Sequence, residues 1–252
     1  MLLRSFAIAF SMYSRIPMPR VEWKEKDMKY ALCFFPLVGT AVGAAMLIVG
    51  NALKFWDCGC LLFSSVMTVI PVIVTGGIHL DGFLDTCDAL ASFGGREKKL
   101  EIMKDSNSGA FAVIGGLVYF ALSLGIWSEM DIRALPVLAV SYMLSRTLSG
   151  FSLVSFPLAK SSGLAASFGN AANRRIVRFT LILFLLAESA GMFLLDFKMA
   201  VGVTGCAFFV FLYHRHNCIK NFGGITGDLA GYFLQICELA MDAACMIIGK
   251  VW

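Results

Sequence analysis

The sequence predicts an all-α fold, a polytopic integral membrane helical bundle with about seven transmembrane helices and a cytoplasmic N-terminus. Three observations predict it. Of 252 residues, 58% are hydrophobic and only 15% charged, against about 25% charged in a soluble domain, and the mean hydropathy is +0.78. A water-soluble fold of this size cannot hide so much apolar surface. Apolar runs recur along the whole chain, and in hydrocarbon such runs satisfy their backbone polar groups only as helices. The third observation is the alternation of basic residues between the runs.

In order, the apolar segments are 31–53, 61–76, 110–127, 134–157, 177–195, 199–213 and 229–249, the second and sixth short. Before the first stand six basic residues: Arg4, Arg15, Arg20, Lys24, Lys26 and Lys29. The following connections carry Lys54 alone; Arg96, Lys98, Lys99 and Lys104; Arg133 alone; Lys160, Arg174, Arg175 and Arg178; Lys198 alone; Arg215 and Lys220; and Lys250 alone. By the positive-inside rule the first, third, fifth and seventh of these regions are cytoplasmic, and the C-terminus is outside. The net charge of +4 therefore reads as basic cytoplasmic loops, with no nucleic acid among the partners and the lipid bilayer as one. Residues 1–252 read as a single integral membrane domain. The opening MLLRSFAIAFSMYSRIPMPR lacks the long apolar stretch and small-residue cleavage site of a signal peptide. The eight cysteines lie mostly in apolar runs and read as small buried hydrophobes, with Cys58 and Cys60 too close for a relaxed disulfide framework.

The stretch Gly76-Gly77-Ile78-His79-Leu80-Asp81-Gly82-Phe83-Leu84-Asp85-Thr86-Cys87-Asp88 follows the second apolar run. Asp81, Asp85 and Asp88 are spaced i, i+4, i+7 and share one helix face. Like charges at that spacing repel, more so beside a low-dielectric membrane. A hard divalent cation, magnesium or manganese, relieves the repulsion, and magnesium completes its shell with water and substrate phosphates. For any one aspartate a solvated turn or an N-cap is as good a reading; three together with their glycines favour metal. His79 is open between a general base, a phosphate donor and a packed imidazole.

Farther on, Glu101 to Gly109 forms a polar turn in which Lys104 and Asp105 are candidates to meet substrate, Lys104 as a point cation for phosphate. Arg96, Lys98 and Lys99 read as a solvated helix face. Asn221-Phe222-Gly223-Gly224-Ile225-Thr226-Gly227-Asp228 is a glycine-rich loop opening the last helix. Backbone N–H groups there can bind an anion, with Gly223, Gly224 and Thr226 as substrate-binding candidates and Asp228 a metal ligand or an N-cap. Within the spans, Arg146, Glu188, Glu238 and Asp242 are costly, at about 2.5–3.5 kcal/mol or more each. Arg146 and Glu238 pair in the interior or line a pocket; Glu188 and Asp242 read as snorkelling. His214-Arg215-His216-Asn217-Cys218 reads as a polar loop before a soft-metal site.

Together these residues resemble the cobalamin synthase family, the adenosylcobinamide-GDP ribazoletransferases. The resemblance is carried by Tyr13-Ser14-Arg15-Ile16-Pro17-Met18-Pro19, Phe34-Phe35-Pro36-Leu37-Val38-Gly39, the 76–88 signature, Glu101 to Gly109, Ser145-Arg146 and 223–228; the 214–218 loop lies outside it and 158–200 matches weakly. It implies a magnesium-dependent transferase of the cytoplasmic (inner) membrane, its active site facing the cytoplasm. Such an enzyme joins adenosylcobinamide-GDP to α-ribazole, or α-ribazole 5′-phosphate, and releases GMP in the last step of nucleotide-loop assembly. On that footing Asp81 and Asp85 hold magnesium against the pyrophosphate. Asp88 completes the site or accepts the hydroxyl proton. His79, Arg15, Lys104 and Arg146 bind phosphate oxygens, and Asp228 with the 223–227 loop holds a second phosphate or metal. A homo-oligomer is compatible with the sequence. CDP-alcohol phosphotransferases are the nearest alternative, but no Ala-Arg follows Asp81-Gly82 and the spacing differs; aspartate-rich prenyltransferases carry a second Asp-rich repeat that is absent here. A transporter would place paired charges in broken helices of two related halves.

Overall fold

The computed structural model describes residues 1–105, 107–160 and 163–251; Ser106, within the 101–109 turn, lies outside the described residues. In chain order the helices are α1 (Leu2–Tyr13), α2 (Glu25–Met28), α3 (Phe35–Phe55), α4 (Cys60–Thr75), α5 (Ile78–Ala91), α6 (Arg96–Ile102), α7 (Ala110–Ser128), α8 (Leu135–Ser155), α9 (Leu164–Ala171), α10 (Arg174–Leu195), α11 (Phe197–Asn217) and α12 (Gly227–Val251), with a π-helical turn at Cys218–Phe222. The only β-type pairing among the described residues is a parallel bridge between Leu158 and Ile225. Six helical stretches are long and apolar enough to cross a membrane, and a bent pair, α4 with α5, makes up to seven. This is a multi-pass membrane bundle.

Its centre is α8, where 14 of 21 residues are buried. Helix α3 reaches it through Gly39 and Gly43, where a Cβ would sit 2.3 and 2.2 Å from the Tyr142 and Ala139 carbonyl oxygens. Small residues four apart let two backbones meet this closely without the hydrophobic effect as the driving force. The outer helices α7, α10 and α11 instead turn residues such as Leu117, Leu122, Phe179, Leu186 and Phe209 outward, as lipid requires.

The connections sort to two ends. At one, Lys250 pairs with Glu129, the Cys60 thiol donates to the Ser128 carbonyl at 3.2 Å, and Asp131 caps the turn before α8 while binding Arg133. At the other, the loop at 157–159 pairs with Ile225 and the tip of α1 meets α3, α5 and α12. The end holding 1–30, 77–109 and 214–227 is the one with more Lys and Arg.

The interior charges are all partnered in part. Arg146 is fully buried and forms an ion pair with Glu238, which also accepts from Ser145 Oγ at 2.9 Å. The Tyr142 hydroxyl donates to Asp242 at 3.2 Å, and Thr147 Oγ1 to Glu188 at 2.6 Å. Glu188 and Asp242 are each 3% exposed: they are interior groups tying α8 to α10 and α12, and the snorkelling expected of them is corrected. His214 packs between Phe156 and Phe233 with Cys218 Sγ 3.5 Å from Nδ1. His216 is exposed, so the 214–218 residues do not converge on a soft metal.

Candidate functional site

Between α4 and α5 the chain turns by 98°. Gly76 and Gly77 make the turn with φ of 69° and 80°, a left-handed pair that costs a glycine little. The Arg15 side chain lies across Gly76, where a Cβ would meet its Nε at 2.6 Å, and the Arg15 N–H donates to the Val74 carbonyl at 2.8 Å. Helix α4, at 16 residues, is about 24 Å long, and α5 leaves it to pack against the start of α12. The period of α5 then divides its faces. His79, Gly82, Phe83, Thr86 and Ala89 are buried toward the bundle, which leaves Asp81, Asp85 and Asp88 on the other side.

Two glycines set how closely α5 meets α12. A Cβ on Gly82 would lie 2.8 Å from the Asp228 Cα and carbonyl oxygen, and one on Gly231 would lie 2.9 Å from the His79 carbonyl oxygen. Asp81 and the first turn of α12 are thereby held side by side. Thr226 starts that helix by accepting the Leu229 N–H at 3.1 Å, an N-cap in the usual sense.

At this crossing lies a cavity of about 460 Å³. One end is polar: Asp81, Lys104, Lys160, Thr226 and Asp228 line it. The other is apolar and aromatic, with Tyr13 and Phe35 against His79. The Tyr13 and His79 rings are 6.0 Å apart and nearly parallel, and Phe35 is 4.3 Å from Tyr13 and 5.8 Å from His79. Burial, and next the positive charge of Arg146, holds the His79 imidazole well below its ordinary value, so it is neutral; its Nε2 is buried without a partner among the described residues.

The carboxylates repel. Asp85 is pushed up to about 6, by burial first and then by Asp81, Asp228 and Asp88. Lys160 is drawn down by burial and by Lys104, while Asp228 supports its charge. Among the described residues no three Asp, Glu, His or Cys side chains converge as a metal-binding group. That donor set suits a cation that takes one or two carboxylates and fills its shell from water and phosphate, which is how magnesium binds, and does not suit a closed protein cage.

Of the residues singled out from sequence, His79, Asp81, Lys104, Thr226 and Asp228 meet at the cavity. Asp85 stands one turn beyond Asp81 on the same face. Asp88 is committed elsewhere: its oxygens accept the Gly109 N–H at 2.5 Å and the Ala112 N–H at 2.8 Å, capping α7. Asp105 accepts from both the backbone and the side chain of Asn107 and does not line the cavity. Neither do Arg15, at the elbow, and Arg146, spent on Glu238. Gly223 and Gly224 do not line the cavity and sit at close approaches. A Cβ on Gly223 would strike the Arg96 guanidinium at 2.2 Å, and one on Gly224 the Pro157 carbonyl at 2.4 Å, where 157–159 and 225 exchange backbone hydrogen bonds. Arg96 donates to the Ala159 carbonyl, and Lys99 to the carbonyls of Ala89, Leu90 and Ser92 at the end of α5; Arg96 and Lys98, the latter paired with Glu101, are exposed as expected, and Lys99 is a half-buried fastener. Sequence reading missed Lys160, Tyr13, Phe35 and Ser149 as lining groups. Tyr13 and Phe35 stand inside the quoted motifs, where aromatics beside an apolar run read as core.

A family model described as cobalamin-5-phosphate synthase matches residues 5–246. The adenosylcobinamide-GDP ribazoletransferase of Lachnoclostridium phytofermentans is 42% identical over 252 residues, covering 99% of this chain and 95% of that protein. The protein of the same name from Clostridium botulinum strain Alaska E43 is 31% identical over 97% of this chain and 98% of its own, and that of Desulfitobacterium hafniense 30% over 94% of each. No solved structure matches this chain.

Proposed function

This chain belongs to the cobalamin-5-phosphate synthase family, and from that membership we propose that it is an adenosylcobinamide-GDP ribazoletransferase. It joins adenosylcobinamide-GDP to α-ribazole, or to α-ribazole 5′-phosphate, and releases GMP. A ribose hydroxyl attacks the cobinamide-side phosphorus of the pyrophosphate; the new P–O bond forms as the bond to GMP breaks, and the hydroxyl loses its proton.

The observation that carries this reading is the cavity at the α5–α12 crossing, whose polar end sets two carboxylates, Asp81 and Asp228, beside two ammonium groups, Lys104 and Lys160. Phosphoryl transfer needs positioning and charge stabilisation more than covalent chemistry. Lys104 and Lys160 meet phosphate oxygens as point charges, and the Thr226 cap fixes the first turn of α12 beside them. Asp81 and Asp85, with Asp228 opposite, are the residues that would hold magnesium. A magnesium ion held by them would neutralise charge on the pyrophosphate. His79, neutral and packed against the Tyr13 and Phe35 pair, orients the substrate and does not carry phosphate charge. The basic connections gather at the cavity end, which supports a cavity open to the cytoplasm in the cytoplasmic membrane.

The test is purified protein in detergent with magnesium, adenosylcobinamide-GDP and α-ribazole, following GMP and the corrinoid product by chromatography, wild type beside Asp81→Asn. Product from wild type and its loss in a folded Asp81→Asn protein is expected. A folded wild type that makes no GMP sinks the assignment.

A further inference from the structure

We propose that the apolar end of the cavity is the base subsite of the incoming nucleoside, and that Tyr13, Phe35 and His79 select a planar, alkylated benzimidazole base over a guanine. The inference rests on the reading of the chain as a ribazoletransferase and assigns which half of which substrate enters the cavity.

Size comes first. About 460 Å³ falls in the ~300–1,000 Å³ range of small-ligand sites. It accommodates a nucleoside; a corrinoid ring with its amide side chains is several times larger and stays outside, presenting only its pyrophosphate to the polar end. The choice is therefore between the two nucleosides of the reaction, guanosine and ribazole.

Chemistry decides between them. The apolar end is walled by Met12, Tyr13, Phe35, Ile78, Leu153 and Leu234. A guanine there would bury an exocyclic amine, a ring N–H, a carbonyl and two ring nitrogens, and unpaired buried polar groups of that kind are what a site rejects most strongly. A dimethylbenzimidazole joined to ribose carries two methyl groups and one free ring nitrogen. The wall offers apolar carbon to the former. For the latter it sets His79 nearby, its Nε2 without a hydrogen-bond partner among the described residues. Tyr13, with Phe35 tilted against it at 4.3 Å and His79 nearly parallel at 6.0 Å, belongs to an aromatic cluster in that wall, and a planar heterocycle stacks on such a ring. The ribose then lies toward Asp81 and Thr226, where its attacking hydroxyl meets the pyrophosphate held by the lysines.

Two measurements test this separately from the assigned reaction. The first is equilibrium dialysis of α-ribazole against the purified full chain in detergent, without the second substrate, with guanosine as competitor, for wild type, Tyr13→Phe and Tyr13→Leu. Stacking on one ring is worth about a 5- to 140-fold change in binding. Expected are saturable α-ribazole binding, little competition by guanosine, retention in Tyr13→Phe and roughly tenfold weakening in Tyr13→Leu. Guanosine competing as well as unlabelled α-ribazole, or binding that ignores Tyr13→Leu, overturns the proposal. The second is steady-state turnover by Phe35→Leu: KM for α-ribazole rises while KM for adenosylcobinamide-GDP stays near wild type. The reverse pattern places guanine at the wall and also overturns it. A wild type that binds α-ribazole as described but makes no GMP keeps the subsite and removes the assigned reaction.

Discussion

Gly82→Ala concentrates the argument in one methyl group. The new Cβ would stand 2.8 Å from the Asp228 Cα and carbonyl oxygen, and ordinary contact begins at 3.4 Å. The obstacle is backbone at the start of α12, so it cannot rotate aside as a side chain would. Helices α5 and α12 must part by about 0.6 Å there, or tilt by an equivalent amount. Overpacking of this kind costs about 1–3 kcal/mol, partly offset by the ~0.5–1 kcal/mol that alanine gains over glycine in a helix. The effect on turnover is larger than the effect on stability. Asp81 sits on the residue before, and a displacement near 1 Å costs on the order of a hundredfold in rate. We expect kcat for GMP release to fall by about tenfold or more, with a thermal midpoint in detergent only a few degrees lower. Gly125→Ala in α7, where a Cβ meets nothing within 4 Å, is the control and keeps wild-type turnover. If Gly82→Ala turns over within about twofold of wild type, the close approach does not position the site and the reasoning fails.

Four further outcomes follow from the same geometry. Because burial and the neighbouring carboxylates push Asp85 up to about 6, protonation removes the charge a cation needs, so activity at limiting magnesium falls as pH drops through about 6, and added magnesium moves that midpoint lower. A raised carboxyl also favours the folded state when protonated; that stability is complete below the ordinary carboxylate value and is lost as pH rises through about 6. Asp85→Asn therefore melts higher than wild type at pH 8 while losing activity, and a lower melting point there contradicts the repulsion. Asp88→Ala removes two N–H partners at the start of α7 and lowers stability by about 0.5–2 kcal/mol, with KM values unmoved; a selective loss of magnesium dependence would instead make Asp88 a ligand. Glu238→Ala strands Arg146 in the bundle interior and costs about 3–5 kcal/mol, read as lost monodisperse protein, whereas Arg146→Met with Glu238→Leu recovers it. Lys160→Ala raises KM for adenosylcobinamide-GDP and leaves α-ribazole binding intact by dialysis; unchanged kinetics would take Lys160 out of the phosphate end.

The bundle was legible because its causes are local. An apolar run of membrane length is a helix wherever it sits, and the alternation of Lys and Arg groups the connections whatever their partners. The acidic face of α5 was legible too, since i, i+4, i+7 spacing puts Asp81, Asp85 and Asp88 on one side of a helix before anything packs against it. What periodicity leaves open is the element opposite. Asp81 faces a cavity while Asp88, two turns on, caps α7 across 21 residues of chain. Lys99, read as a solvated face, closes the end of α5, and Arg146 finds Glu238 at a separation of 92 residues. Lys160, in a loop with no motif of its own, reaches the site because 157–159 pairs with the Gly223–Ile225 turn. Each of these side chains had a known chemistry in the sequence and an unknown partner. The sequence alone determined the helices, their grouping at two ends and the face that bears the acids. Tertiary structure decided which acids and cations meet, because a side chain's role depends on what lies within hydrogen-bonding distance, and close approach of backbones at Gly82 and Gly231 set that distance for the site.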